Sequence, residues 1–162
     1  MSEIPDLLER FRRGAELVAV AMTGAAGPEL DFSPAPGKWS MRQIIAHLSD
    51  AEIAGVVRFR KLIAEDSPTI EPFDEQAWAE RLDYAKRKTS QSLETFRRMR
   101  GENYELLKDL PEQAFERVGT HTQRGPLSLR QLLQIYAEHA ENHAVQLRTR
   151  RAEYKQSKAG VK

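Results

Sequence analysis

Cysteine is absent from this chain. Its absence excludes disulfides, thiolate metal ligands and a cysteine nucleophile together, and it fits a reducing compartment. A charge excess of one sign is also lacking: 25 Lys and Arg stand against 24 Asp and Glu, a formal charge of +1. Proteins that live on phosphate backbones carry a larger basic excess, so no nucleic-acid partner is expected. Long apolar runs are missing too. The longest mostly apolar stretch, Ala15 to Ala26, is broken by Glu16, Thr23 and Gly24, and no membrane span is expected. The opening MSEIPDLLERFRRG carries acids and arginines where a secretory leader needs an apolar core, which gives a cytoplasmic expectation. Sustained apolar–polar alternation and clustered β-branched residues are wanting as well, so no strands are expected.

What is present is helical periodicity. With 40% hydrophobic and 30% charged residues, the composition suits a soluble helical protein. Residues 1–162 are expected to form one domain, with a core over about 5–151 and a frayed tail over 152–162. The first helix is expected over 5–23, with Leu7, Leu8, Phe11, Ala15, Val18 and Met22 on one stripe, and Gly24, Gly27 and Pro28 end it. Ser40 followed by Gln43 reads as a capping box opening a second helix to about Glu65. A third is expected from Thr89 to Leu110, stopped by Pro111, and Ser128 with Gln131 repeats the capping box for a fourth, to about Arg151. A short helix is expected around Trp78, inside a proline-punctuated connection. Four helices of roughly 20 residues, each ~30 Å long, describe an all-α four-helix bundle. The connections are long, so their lengths leave the up-down order open.

Two of the four histidines fall in YAEHAENHAVQL, four positions apart and therefore one turn apart on a helix. The inward ridge of the fourth helix reads Leu129, Leu132, Leu133, Tyr136, His139, Ala140, His143, Ala144, Leu147. On the second helix His47 shares a face with Ile44, Leu48, Ala51 and Gly55. A lone core histidine is ordinarily a neutral ring satisfied by a carbonyl. Three inward histidines are harder to satisfy separately, and one shared cation would satisfy all three. Asp50, one turn after His47, is a candidate base or a group that orients an imidazole. Gln146 can hydrogen-bond beside the pair, whereas Glu138 and Glu141 point off the ridge as surface charges. His121 reads as a loop or interface residue, with reach to a cavity mouth as the alternative, Trp39 as a hydrophobic staple, and Arg148, Arg150 and Arg151 as complements to the dipole at the end of the fourth helix.

KWSMRQIIAHLSDAE and GTHTQRGPLSLRQLLQIYAEHAENHAVQLR resemble, in order and spacing, the two signatures of the DinB/YfiT-like family. The resemblance covers about residues 5–150. It implies a four-helix bundle whose histidine triad, here His47, His139 and His143, binds a divalent metal: zinc or nickel first, iron or manganese as alternatives. It also implies a homodimer. An open three-histidine metal supports two chemistries on a small-molecule substrate: hydrolysis of an amide or ester, or S-transfer from a low-molecular-weight thiol, and family members are associated with both. The rival expectation is a non-catalytic stress or interaction protein whose metal is structural or whose site is vestigial. A di-iron carboxylate centre is set aside, since no histidine here has a glutamate three positions before it.

Overall fold

Two serine-initiated caps start the two helices that carry the histidines. The computed structural model describes residues 3–161. Its helices are α1 (Ile4–Met22), α2 (Pro28–Asp31), α3 (Met41–Ala64), α4 (Glu75–Arg81), α5 (Thr89–Leu107) and α6 (Leu129–Ala159). Both capping boxes form. At α3 the Gln43 amide N–H donates to Ser40 Oγ and the Ser40 N–H to Gln43 Oε1, at 3.3 and 2.9 Å. At α6 the Ser128 and Gln131 pair does the same at 3.1 and 2.8 Å. Each box satisfies orphan donors of the first turn and fixes where the helix, and hence its histidine register, begins.

The four long helices make a four-helix bundle. α1 packs on α6 and α5, and α3 packs on α5 and α6. Two of the three successive pairs therefore lie across diagonals, α1 opposite α3 and α5 opposite α6, which the long connections permit, while α3 and α5 are neighbours. Burial of Phe11, Phe59, Leu62, Leu107, Phe115 and Leu133 forms one part of the core. Val18, Met41, Ile45, Leu48, Phe96, Ala144 and Leu147 form the other.

Between these two parts sits an ion pair. Arg100 of α5 forks onto Glu52 of α3 with Nε–Oε1 at 2.8 Å and NH2–Oε2 at 2.9 Å, both side chains being 1% exposed. The same guanidinium donates to the carbonyl of Phe11 on α1 (2.8 Å) and of Tyr136 on α6 (3.0 Å), and it stacks 4.0 Å from the Phe11 ring centroid. One side chain thus ties all four helices. Gly14 makes room for it: a Cβ there would come within 2.7 Å of both Arg100 and Ala140.

The strand expectation is corrected. Three short strands, β1 (Thr69–Ile70), β2 (Val118–His121) and β3 (Gly125–Ser128), form a sheet in that order. β1 pairs parallel with β2, Ile70 opposite His121, and β2 pairs antiparallel with β3, Val118 opposite Ser128. Runs of two to four residues are too short to show alternation in the sequence. The sheet matters because it pins the 65–74 connection and His121 beside α6.

The fourth long helix also runs past the end expected near Arg151, since α6 remains helical to Ala159. The Tyr154 ring packs edge-on against Phe32 with centroids 5.6 Å apart, and Arg151 donates to Glu29 at 2.8 Å. Those contacts supply the packing a bare tail would lack. Arg150 and Arg151 consequently do not close α6. Arg151 instead donates to the Ala21 and Thr23 carbonyls at 3.3 and 2.6 Å, capping the end of α1. Arg150 donates to the Trp39 carbonyl at 2.6 Å. Among the described residues no helix is long and apolar enough to cross a membrane.

Candidate metal centre

α3 contributes His47 and α6 contributes His139 and His143, and the three rings converge between the helices. His47 Nε2 is 2.9 Å from His139 Nε2, and His143 Nε2 is 3.2 Å from the same atom. The ring centroids lie 4.9 Å apart for His47 with either partner, and 4.5 Å for His139 with His143. His47 is buried, the other two half-buried, and one ring nitrogen from each lies within 4.8 Å of the others.

Protein hydrogen bonds alone do not satisfy this arrangement. His143 Nδ1 is 2.7 Å from Gln146 Oε1, an acceptor, so Nδ1 holds the proton and Nε2 presents a lone pair. His139 Nε2 then faces two nitrogens and can donate one proton to only one of them. His47 Nδ1 is buried with no partner, a penalty of about 1–3 kcal/mol. A cation bound ~2.0–2.1 Å from each nitrogen would space them about 2.9 Å apart at right angles, or about 3.3 Å in a tetrahedron. The spacings of 2.9 and 3.2 Å fall in that interval. The donor set therefore fits a divalent ion.

The rings are also held neutral, as ligands must be. Burial, with a smaller push from His143, lowers the His47 pKa to about 3. Burial first, then His143, His47 and Arg100, lowers His139 to about 2. His143 is lowered by burial, partly offset by its bond to Gln146 and by Glu75.

The surrounding residues divide. Gln146, one turn past His143, hydrogen-bonds that ring. Glu141 forks onto Arg10 at 2.8 and 2.9 Å and Glu138 accepts from Gln134 at 2.8 Å, so both serve the helix surface. Asp50 is buried but turns from the triad: Oδ1 accepts from Arg87 at 3.3 Å and Oδ2 has no hydrogen-bond partner. Its charge, after burial, raises the pKa of Tyr84. No hydrogen bond joins Asp50 to an imidazole among the described residues, so the role of orienting a ring falls to Gln146. Trp39 packs against the α3 start and sets its ring 5.0 Å from that of His47.

Beside the triad lies a cavity of about 270 Å³ whose lining includes His139, Tyr136, Glu75, Arg58, His121 and Arg124. Glu75 is the one carboxylate in that lining, and it was not marked in the sequence because it begins a short helix behind the Asp74 cap. Arg58 did carry a signal: it continues the ridge His47, Ala51, Gly55. Gly55 is needed there because a Cβ would meet the Tyr136 ring at 2.6 Å. The Tyr136 hydroxyl donates to the Ala51 carbonyl at 3.0 Å and accepts from Arg58 at 3.3 Å.

Three histidines from two helices of a bundle, one of them, His139, lining a small cavity, define a class: helical proteins with a histidine cluster that could hold one metal ion. Residues 10–147 match the model of the DinB superfamily, and the chain belongs to that superfamily. It is 35% identical over 115 residues to a protein of Oceanobacillus iheyensis named "putative metal-dependent hydrolase", covering 71% of this chain and 66% of the relative. It is 32% identical over 116 residues to YfiT of Bacillus subtilis, which bears the same description, covering 71% and 65%. The matches thus span just under two thirds of those relatives' lengths. The solved structure of YfiT matches with a TM-score of 0.87 at 25% identity, over 96% of this chain and 90% of that one. YfiT is described there as "a probable metal-dependent hydrolase with an unusual four-helix bundle topology".

Proposed function

We propose that this protein is a metal-dependent hydrolase acting on a small amide or ester, with one divalent cation held by His47, His139 and His143. The observation that carries the reading is the convergence of three neutral Nε2 atoms at 2.9 and 3.2 Å. The names of the relatives supply the reaction class. When bound, a zinc or nickel ion on three imidazoles supplies Lewis acidity at positions left open to substrate and water. The chain's own residues do the rest. Gln146 holds the His143 tautomer, Tyr136 and Ala51 wall the cavity beside His139, and Glu75 handles the proton. As the oxygen of water attacks the carbonyl carbon, a Glu75 carboxylate oxygen takes its proton. It returns that proton to the leaving amine or alcohol as the bond to carbon breaks.

The test is turnover of nitrophenyl esters and anilides by zinc-loaded, nickel-loaded and metal-stripped protein, with Glu75→Gln alongside. The expected result is metal-dependent hydrolysis, reduced about 100-fold or more in the Glu75 variant. A parallel arm supplies electrophiles with bacillithiol, mycothiol or glutathione, because a chain without cysteine must take any sulfur nucleophile from a cosubstrate. Activity only in that arm replaces hydrolysis by S-transfer. Inactivity in both, with metal loss costing only stability, gives the site a structural role. The homodimer and cytoplasmic setting belong to the same proposal, and light scattering in solution tests the former.

A further inference from the structure

His121 is 7% exposed and sits where β2 turns toward β3, its ring lining the cavity that ends at His139. Its Nδ1 accepts two backbone N–H groups, from Gln123 at 3.2 Å and Arg124 at 3.3 Å. An Nδ1 that accepts carries no proton, so the proton of the neutral ring is on Nε2. Nε2 has no hydrogen-bond partner among the described residues, yet it is not among the buried atoms left unsatisfied. It is therefore a fixed N–H donor with exposed surface, on a ring that lines the cavity. Burial first, then the nearby charges of Arg58 and Arg124, lower the pKa of the ring against an opposing influence of Glu71.

Those two arginines line the same cavity. Arg58 is held in place by the Glu71 carbonyl at 2.7 Å, the Tyr136 hydroxyl at 3.3 Å and the Phe73 ring at 5.5 Å. These contacts use two of its five N–H groups. Arg124 makes no ion pair or hydrogen bond through its side chain among the described residues, so its fork is free. Both arginines act on His121, against a smaller opposing influence of Glu71.

We propose that the cavity binds the oxyanion end of its small-molecule substrate through Arg58, Arg124 and the Nε2–H of His121, leaving the scissile group against His139. The proposal rests on the triad being the reactive end. The planar forks of arginine suit a carboxylate or a phosphate bidentately, and a cavity of about 270 Å³ suits a small ligand. The substrate class is then a short acyl compound with an anionic group remote from the bond that is cut.

The experiment titrates four probes into the full-length protein, zinc-loaded and metal-stripped: isovalerate, its neutral isostere isovaleramide, isopentylamine and inorganic phosphate. The readout is the NMR shift of the His121 ring nitrogens and of the Gln123 and Arg124 amides. In stripped protein no probe can register by ligating an ion. Isovalerate is expected to bind about ten-fold more tightly than isovaleramide, as a charge-assisted pair requires. Arg124→Gln, which breaks no contact of the fold, is expected to lose most of that margin and Arg124→Lys to keep part of it. Tighter binding of phosphate than of isovalerate also supports the proposal and assigns the oxyanion as phosphoryl. Equal binding of isovalerate and isovaleramide, or an unchanged Arg124→Gln, overturns it. Zinc uptake, measured on the same samples, fails separately if the triad reading is the one at fault.

Discussion

Replacing Glu52 by leucine removes one half of the only pair in which both partners are fully enclosed, among the described ion pairs. Leucine is near in size, so the change removes charge with little loss of volume. Arg100 keeps its bonds to the Phe11 and Tyr136 carbonyls but loses the carboxylate that answered its charge at 2.8 and 2.9 Å. Stranding a buried charge costs about 3–5 kcal/mol, a large share of the roughly 5–15 kcal/mol that holds a domain folded. For a chain of this size each kcal/mol moves the melting temperature by about 2–4 °C. The fall expected by calorimetry is therefore about 6–20 °C. Glu52→Leu combined with Arg100→Met removes both charges and should recover most of that fall, because the pair itself adds little over well-packed apolar side chains. A single variant that melts within about 2 °C of the parent, or a double variant as unstable as the single, refutes the reasoning.

Gln146→Leu frees the His143 ring to take either tautomer, and zinc affinity should fall about 10–100-fold by competition with a chromophoric chelator, with the fold unchanged. The metal-free protein should lose stability in acid. In the unfolded chain the imidazoles titrate near 6.5, whereas in the fold His47 is lowered to about 3 and His139 to about 2. Below pH 6.5 the unfolded state takes up protons that the native state refuses, so stability is complete above that value and drains as pH falls. The slope should be about 1.4 kcal/mol per ring per pH unit, and urea midpoints that stay level from about pH 7.5 to about pH 5.5 contradict the burial argument.

The elements that carry the histidines were legible because their signals are local. Ser40 with Gln43, and Ser128 with Gln131, announce helix starts through three-residue spacing, and the 3.6-residue period then turns His47, His139 and His143 to one side. Gln146 followed from the same period. Asp50 shows where that logic stops. It stands one turn from His47, but the segment after α4 brings Arg87 and Tyr84 to it, and no local pattern announces such a neighbour. The same holds for Glu52 and Arg100, which meet across 48 residues of sequence. The small sheet, which places His121 and steers the connection before Glu75, is made of pairings too short to have a period. The helical turns beyond Arg151 depend on contacts with Phe32 and Glu29, which only the folded chain supplies.

Metal content measured against the number of rings tests directly whether the three imidazoles share one ion. Protein loaded with zinc, desalted and assayed by plasma mass spectrometry should hold about one ion per chain. His143→Ala, folded by circular dichroism, should hold a small fraction of that. A His143 variant that keeps the parent's full complement of metal would contradict the account.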